Sequence, residues 1–141
     1  MPVIKEVIGI DPVSWQRPRF NGNRAFTASV VTQYKNAVIM MLKSRAPKVP
    51  LDQPIKVTLH FVLVPPKSKP RHKSLYPRVR PDIDNYAKVI LDALNGIYWT
   101  DDGIICELTI KKFYDWTTKK GRLELMIEGL DESQAHLTVL K

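Results

Sequence analysis

Cysteine is the rarest reactive residue in this 141-residue chain: Cys106 stands alone. A single thiol excludes an internal disulfide and every multi-cysteine zinc site, and it suits a reducing cytoplasm. Histidine is nearly as scarce. His60, His72 and His136 are scattered along the sequence, so neither a histidine zinc site nor a catalytic triad is supported. Long apolar runs are also missing. The longest, residues 37–42, falls far short of the ~20 residues that a membrane span needs. Glu6 and Asp11 interrupt the opening apolar stretch, so no signal peptide is expected. There is no glycine-rich phosphate loop and no Gly-x-Ser-x-Gly. Acidic residues are the outnumbered sign, fourteen against twenty-two Lys and Arg, for a net charge of +8. That excess favours a polyanionic partner, nucleic acid or an anionic membrane surface. The remainder, 44% hydrophobic and 26% charged, is ordinary globular composition, and the length fits one domain over residues 1–141.

Hydropathy patterning predicts the element order. Residues 3–10 are β-branched and stop at Asp11-Pro12, which reads as a strand. Residues 11–26 carry Pro12, Pro18 and Gly22 and read as an irregular loop. Thr27 or Ser29 is a suitable cap for a helix running to about residue 45, with Val30, Tyr34, Ala37, Val38, Met41 and Leu42 as its apolar stripe. Residues 55–63 alternate strictly, and His60 on the polar face reads as a solvated or edge histidine. Residues 65–81 hold five prolines and six Lys or Arg with no acid, which suits no regular element. A second helix is expected over 82–94, closed by Asn95-Gly96. Residues 104–114 and 122–128 read as a hairpin of two strands, with Cys106 inside the first as a core residue. The order β-α-β-α-β-β implies an α+β fold, a small mixed sheet packed by two helices.

The second helix has a distinctive wheel. Ile83, Ala87, Ile90, Leu91 and Leu94 share one sector, while Asp84, Lys88, Asp92 and Asn85 share the adjoining one. The helix is expected to be mostly buried, with one narrow polar strip that faces something. Asp82 and Asp84 also fit a plain structural role, as N-cap and first-turn acid, with Lys88 in i,i+4 ion pairs to Asp84 and Asp92. What sets them apart is the run of cations directly before them. An anion-binding loop delivered to paired carboxylates suits phosphodiester chemistry, because Mg²⁺ takes carboxylate, phosphate and water oxygens. A second acidic pair, Asp101-Asp102 before Gly103, is a turn by its own chemistry. It would add a third carboxylate only if the turn curls back beside the helix start. Tyr98 and Trp99 read as packing residues.

The string RPDIDNYAKVILDALNG, residues 80–96, resembles the signature of the RusA family of Holliday-junction resolvases, small endonucleases common in phages and prophages. The resemblance continues through IYWTDD (97–102) and, more loosely, GRLEL (121–125). The first 60 residues match only in element order and basic character. It implies Asp82, Asp84 and Asp102 as catalytic, metal-holding carboxylates and Lys88 as the functional lysine. It implies a homodimer, Mg²⁺ (one or two ions, with Mn²⁺ as a substitute), and symmetric paired nicks in four-way DNA junctions during recombination and repair. The setting would be the cytoplasm of a bacterial or phage-infected cell. Arg17 and Arg19 in the first loop, with Lys67, Lys69, Arg71, Lys73, Arg78 and Arg80 in the second, are the expected DNA contacts. Two other classes fit parts of the pattern. A non-catalytic basic nucleic-acid-binding module explains the charge but not the acids. A small-molecule phosphatase or nucleotidyl transferase explains the acids, but such enzymes place Asp-x-Asp after an apolar strand.

Overall fold

The structure is a computed structural model describing residues 3–15, 24–67 and 73–134. Among these residues four strands and two α-helices follow the expected order: β1 (Ile4–Ile8), α1 (Arg24–Leu42), β2 (Ile55–Leu63), α2 (Ile83–Leu94), β3 (Ile105–Tyr114) and β4 (Arg122–Gly129). The strands form one mixed sheet in the order β1-β4-β2-β3. Inward-facing Ile55, Val57, Leu59 and Phe61 of β2 and Leu123, Leu125 and Ile127 of β4 are buried. They pair across the two strands, Leu59 with Leu125 and Val57 with Ile127, so their side chains form one continuous apolar face. Both helices cover that face. Tyr34, Val38 and Leu42 come from α1, and Tyr86, Ala87, Val89, Ile90, Ala93 and Leu94 from α2.

The expected hairpin does not form. β2 lies between β3 and β4, parallel to the former and antiparallel to the latter. The physical reason is the apolar alternation of β2, whose inner face is wholly buried when it has a strand on each side. The 115–121 connection then has to pass over the end of β2, two strand spacings or about 10 Å. Asp115 organises that crossover. Its carboxylate accepts from the backbone of Thr117 and Thr118 at 2.9 and 3.0 Å and from the Thr118 hydroxyl at 2.7 Å. Arg122 pairs with it at 2.8 Å and with Glu124 at 3.1 Å.

Arg122 and Thr118 together hold the Asp115 carboxyl well below the usual carboxylate range. A depressed folded-state pKa stabilises the fold above the unfolded value of about 3.9, and that stability is lost as pH falls below it. Asp115→Asn should therefore melt below wild type at neutral pH, and the gap should narrow progressively from about pH 4 downward. Thermal melts across pH 7 to 2 check this. A gap that is absent at neutral pH, or that widens in acid, would contradict it.

Smaller differences from the sequence reading have local causes. α1 begins at Arg24 rather than after Thr27 or Ser29 and stops at Leu42, with a 3₁₀ turn over Lys43–Arg45. From residue 29 onward every fourth residue, Tyr34, Val38 and Leu42, is buried, which leaves Val30 and Met41 outside the stripe. Ile83 is likewise exposed, while Ala87, Ile90 and Leu94 are buried as expected and the buried arc of α2 widens to take in Tyr86, Val89 and Ala93. Cys106 is exposed, not core: the β2–β3 register shifts from Ile55–Ile105 to Lys56–Glu107 and leaves it without a partner on β2, while Ile105 and Ile110 of the same strand pack on the core. His60 is on a central strand, not an edge. It faces Glu124 at 3.6 Å and meets the Phe113 ring edge-on.

Candidate active site

α2 starts with two carboxylates that the fold does not use. Asp82 occupies the N-cap position with extended backbone, yet its side chain makes no capping hydrogen bond, and its carbonyl accepts from Asn85 N–H at 3.1 Å. Asp84 follows in the first turn. Both are exposed, and neither has a hydrogen-bond or ion-pair partner among the described residues. Their position at the helix N-terminus is electrostatically favourable, since the aligned peptide dipoles put partial positive charge there.

Lys88 lies one turn further along the same strip. The i,i+4 pairs of the plain structural alternative are absent: Lys88 forms no ion pair with Asp84 or Asp92, and Asp92 instead faces Lys35 of α1 at 3.7 Å. The Lys88 ammonium sits over the face of Trp15, 3.9 Å from the ring centroid. Trp15 is itself tied to α2, its backbone N–H donating to the Asn85 carbonyl at 2.8 Å. The cation is thus held by the ring, one helical turn from Asp84, without an ion pair to that carboxylate.

Residues 73–81, the described part of the proline-rich loop before α2, reach Asp82 along a fixed path. Lys112 on β3 donates from Nζ to the carbonyls of Val79 at 2.7 Å and Pro81 at 3.1 Å, directly before Asp82. Tyr114 N–H bonds the Leu75 carbonyl at 2.9 Å, and the Trp116 indole N–H bonds the Ser74 carbonyl at 2.8 Å. A segment without regular structure is therefore anchored at three points to β3 and the residues just after it. Lys67, Lys73, Arg78 and Arg80 are all exposed, so this face of the molecule is cationic. Arg17, Arg19, Lys69 and Arg71 lie outside the described residues. Sequence reasoning missed Lys112, Trp15 and Trp116. Nothing local marks them, because each acts on residues at least 31 positions away.

The other acidic pair is built differently. Asp101 is structural, capping a 3₁₀ turn (Asp102–Ile104) by accepting from Gly103 N–H at 2.9 Å. Asp102 accepts at 2.7 Å from the indole N–H of Trp99, a fully buried side chain. Tyr98, equally buried, fastens the same turn: its hydroxyl lies 3.0 Å from both the Leu42 carbonyl and Glu6. Burial and the Glu6 carboxylate push that hydroxyl's pKa well above its ordinary value. Tyr98 and Trp99 are packing residues, as expected, but Trp99 also aims Asp102.

The three acids do not converge in one chain. Trp99 pairs with Asn95 and Leu51 where α2 ends, and Asp102 follows it there, whereas Asp82 and Asp84 are where α2 begins. A 12-residue helix separates those ends by about 18 Å. Among the described residues no group of three or more His, Cys, Asp or Glu side chains is arranged to hold a metal ion.

Comparison with known proteins agrees with the motif. Residues 9–128 match the profile of the family described as Endodeoxyribonuclease RusA, a span that takes in α1, β2, α2, β3 and nearly all of β4. A relative from Bacillus subtilis (strain 168), the "Uncharacterized protein YqaN", is 30% identical over 140 residues, covering 90% of this chain and 96% of the relative. No helix among the described residues is long and apolar enough to cross a membrane. On the extent of the profile match and the RPDIDN block at the start of α2, the chain belongs to the RusA family of endodeoxyribonucleases, the Holliday-junction resolvases.

Proposed function

We propose that this protein is a divalent-metal-dependent resolvase that cuts four-way DNA junctions by paired, symmetric nicks. The observation that carries this reading is the start of α2, where the Asp82 and Asp84 carboxylates have no partner among the described residues, Lys88 one turn on forms no ion pair among them, and a cationic loop precedes both acids. Carboxylates left exposed and uncapped are suitable donors for Mg²⁺, which is commonly held by one or two carboxylates with substrate phosphate and water completing its octahedron. A bound ion would polarise the scissile phosphate and lower the pKa of an attacking water. Lys88 stabilises charge developing on the phosphoryl oxygens, and its fixed placement means no reorganisation is needed as that charge develops. The loop cations supply binding, and water attacks directly with no covalent intermediate.

Asp102 joins this site from a second copy of the chain. Within one chain α2 keeps it from Asp82 and Asp84, yet it is aimed by a buried indole, an investment that a plain turn does not require. A two-fold dimer, the commonest closed assembly, would create two equivalent sites in one step and so account for paired nicks.

The direct test is a four-way junction labelled on each strand in turn, incubated with Mg²⁺ or with EDTA, and mapped for nicks. Symmetric nicks in opposed strands that require the metal are expected. Metal-independent cutting, or hydrolysis of small phosphate esters with the junction left intact, would refute the proposal.

The loop should contribute affinity. Replacing Lys73 and Arg78 together by alanine should weaken junction binding at physiological salt. It should also flatten the log–log salt dependence by about 0.9 for each phosphate that the protein no longer neutralises. Binding titrations over a salt series measure both, and unchanged affinity and slope would place the DNA path elsewhere.

A further inference from the structure

We propose that Trp15 is a positioning residue for the cleavage reaction, one that holds the Lys88 ammonium in place through the face of its indole ring. The inference rests on the reading of Lys88 as the cation that stabilises the phosphate, and it goes beyond it by saying what keeps that cation where it works. A lysine on an exposed strip between two acids at i−4 and i+4 would ordinarily swing towards one of them. Here neither Asp84 nor Asp92 captures it, and its Nζ lies 3.9 Å from the Trp15 centroid.

An aromatic face attracts a cation through its quadrupole without donating or accepting a proton, so it orients the ammonium and leaves its N–H bonds free for an incoming oxygen. A carboxylate partner would occupy those bonds and cancel the charge. The ring is in turn fixed independently of Lys88. Trp15 packs on the hydrophobic core, and its backbone N–H is bonded to the carbonyl of Asn85, in the turn of α2 that carries Asp84. Ring, cation and carboxylates therefore share one rigid frame. Trp15 reaches this position from the segment after β1, far from Lys88 in sequence, so the loop before α1 contributes to the site as well as the loop before α2.

The test compares Trp15→Leu, Trp15→Phe and Lys88→Ala by single-turnover cleavage, by junction binding without metal, and by NMR of the Lys88 side chain. In the wild type, ring current should move the Lys88 ε-CH₂ protons upfield in the DNA-free protein. Trp15→Leu should abolish that shift and slow turnover about three- to tenfold, with junction affinity unchanged. Trp15→Phe, which keeps an aromatic face, should retain most of both. Lys88→Ala should lose far more activity than either. Four results would overturn the proposal. They are Lys88 ε protons at ordinary positions in the wild type, wild-type turnover in Trp15→Leu, equal losses in Trp15→Leu and Trp15→Phe, and a loss expressed in binding rather than turnover, which would make Trp15 a DNA contact. If Lys88→Ala itself cuts normally, the reading of Lys88 fails, a distinct outcome from failure of Trp15 alone. Should Trp15→Leu not fold, the wild-type spectrum and Trp15→Phe still decide the matter.

Discussion

Asp82→Asn and Asp84→Asn proteins are each expected to fold and bind a four-way junction, yet to cut it several orders of magnitude more slowly than wild type in Mg²⁺. Asparagine preserves the shape of each side chain and removes only its charge. At position 82 the contrast with a structural role is sharp. Asn caps a helix about as well as Asp, and the Asp82 side chain makes no capping bond to lose. Stability should therefore stay within about 0.5 kcal/mol of wild type, as for other surface substitutions away from special features. Binding without metal should hold or tighten, because each change removes repulsion towards phosphate. Thermal melts, metal-free binding and labelled-junction cleavage on the same preparations separate these effects. Near-wild-type cutting by either variant would remove that residue from the site.

Much of this site is legible in the sequence, because it depends on one helix and the loop before it. The period of α2 places Asp84, Lys88 and Asp92 on one strip, and the charge run before Asp82 gives that strip a substrate class. Such relations are local, fixed by 3.6 residues per turn and by sequence adjacency. Pairing across the sheet is not local. Residues 105–114 and 122–129 look like a hairpin because each is a good strand and they are neighbours in sequence. Which strand lies between them depends on how well β2 is buried, and that is a property of the whole core. The same limit hides Lys112 and Trp15, whose contacts with the Val79 and Pro81 carbonyls and with Lys88 join distant segments. Cys106 fails for a related reason: a strand pattern does not say where the register with the neighbouring strand shifts.

Asp102 is where sequence and fold together say most. The motif groups it with Asp82 and Asp84, while α2 and the Trp99 anchor place it at the far end of the helix. A second copy reconciles the two, and that makes subunit mixing the decisive measurement. Asp102→Asn keeps an oxygen acceptor for the Trp99 indole, so its fold should survive. Asp82→Asn and Asp102→Asn homodimers should each be inert. In a mixed dimer one site carries both lesions and the other carries neither. Random pairing would leave about a quarter of all sites intact. Mixing the two inert proteins should therefore restore Mg²⁺-dependent nicking, confined to one strand per junction, because each mixed dimer has one working site. Failure of the mixture to cut above either protein alone, with mixed dimers verified by differential tagging, would contradict a shared site and the two-copy account built on it.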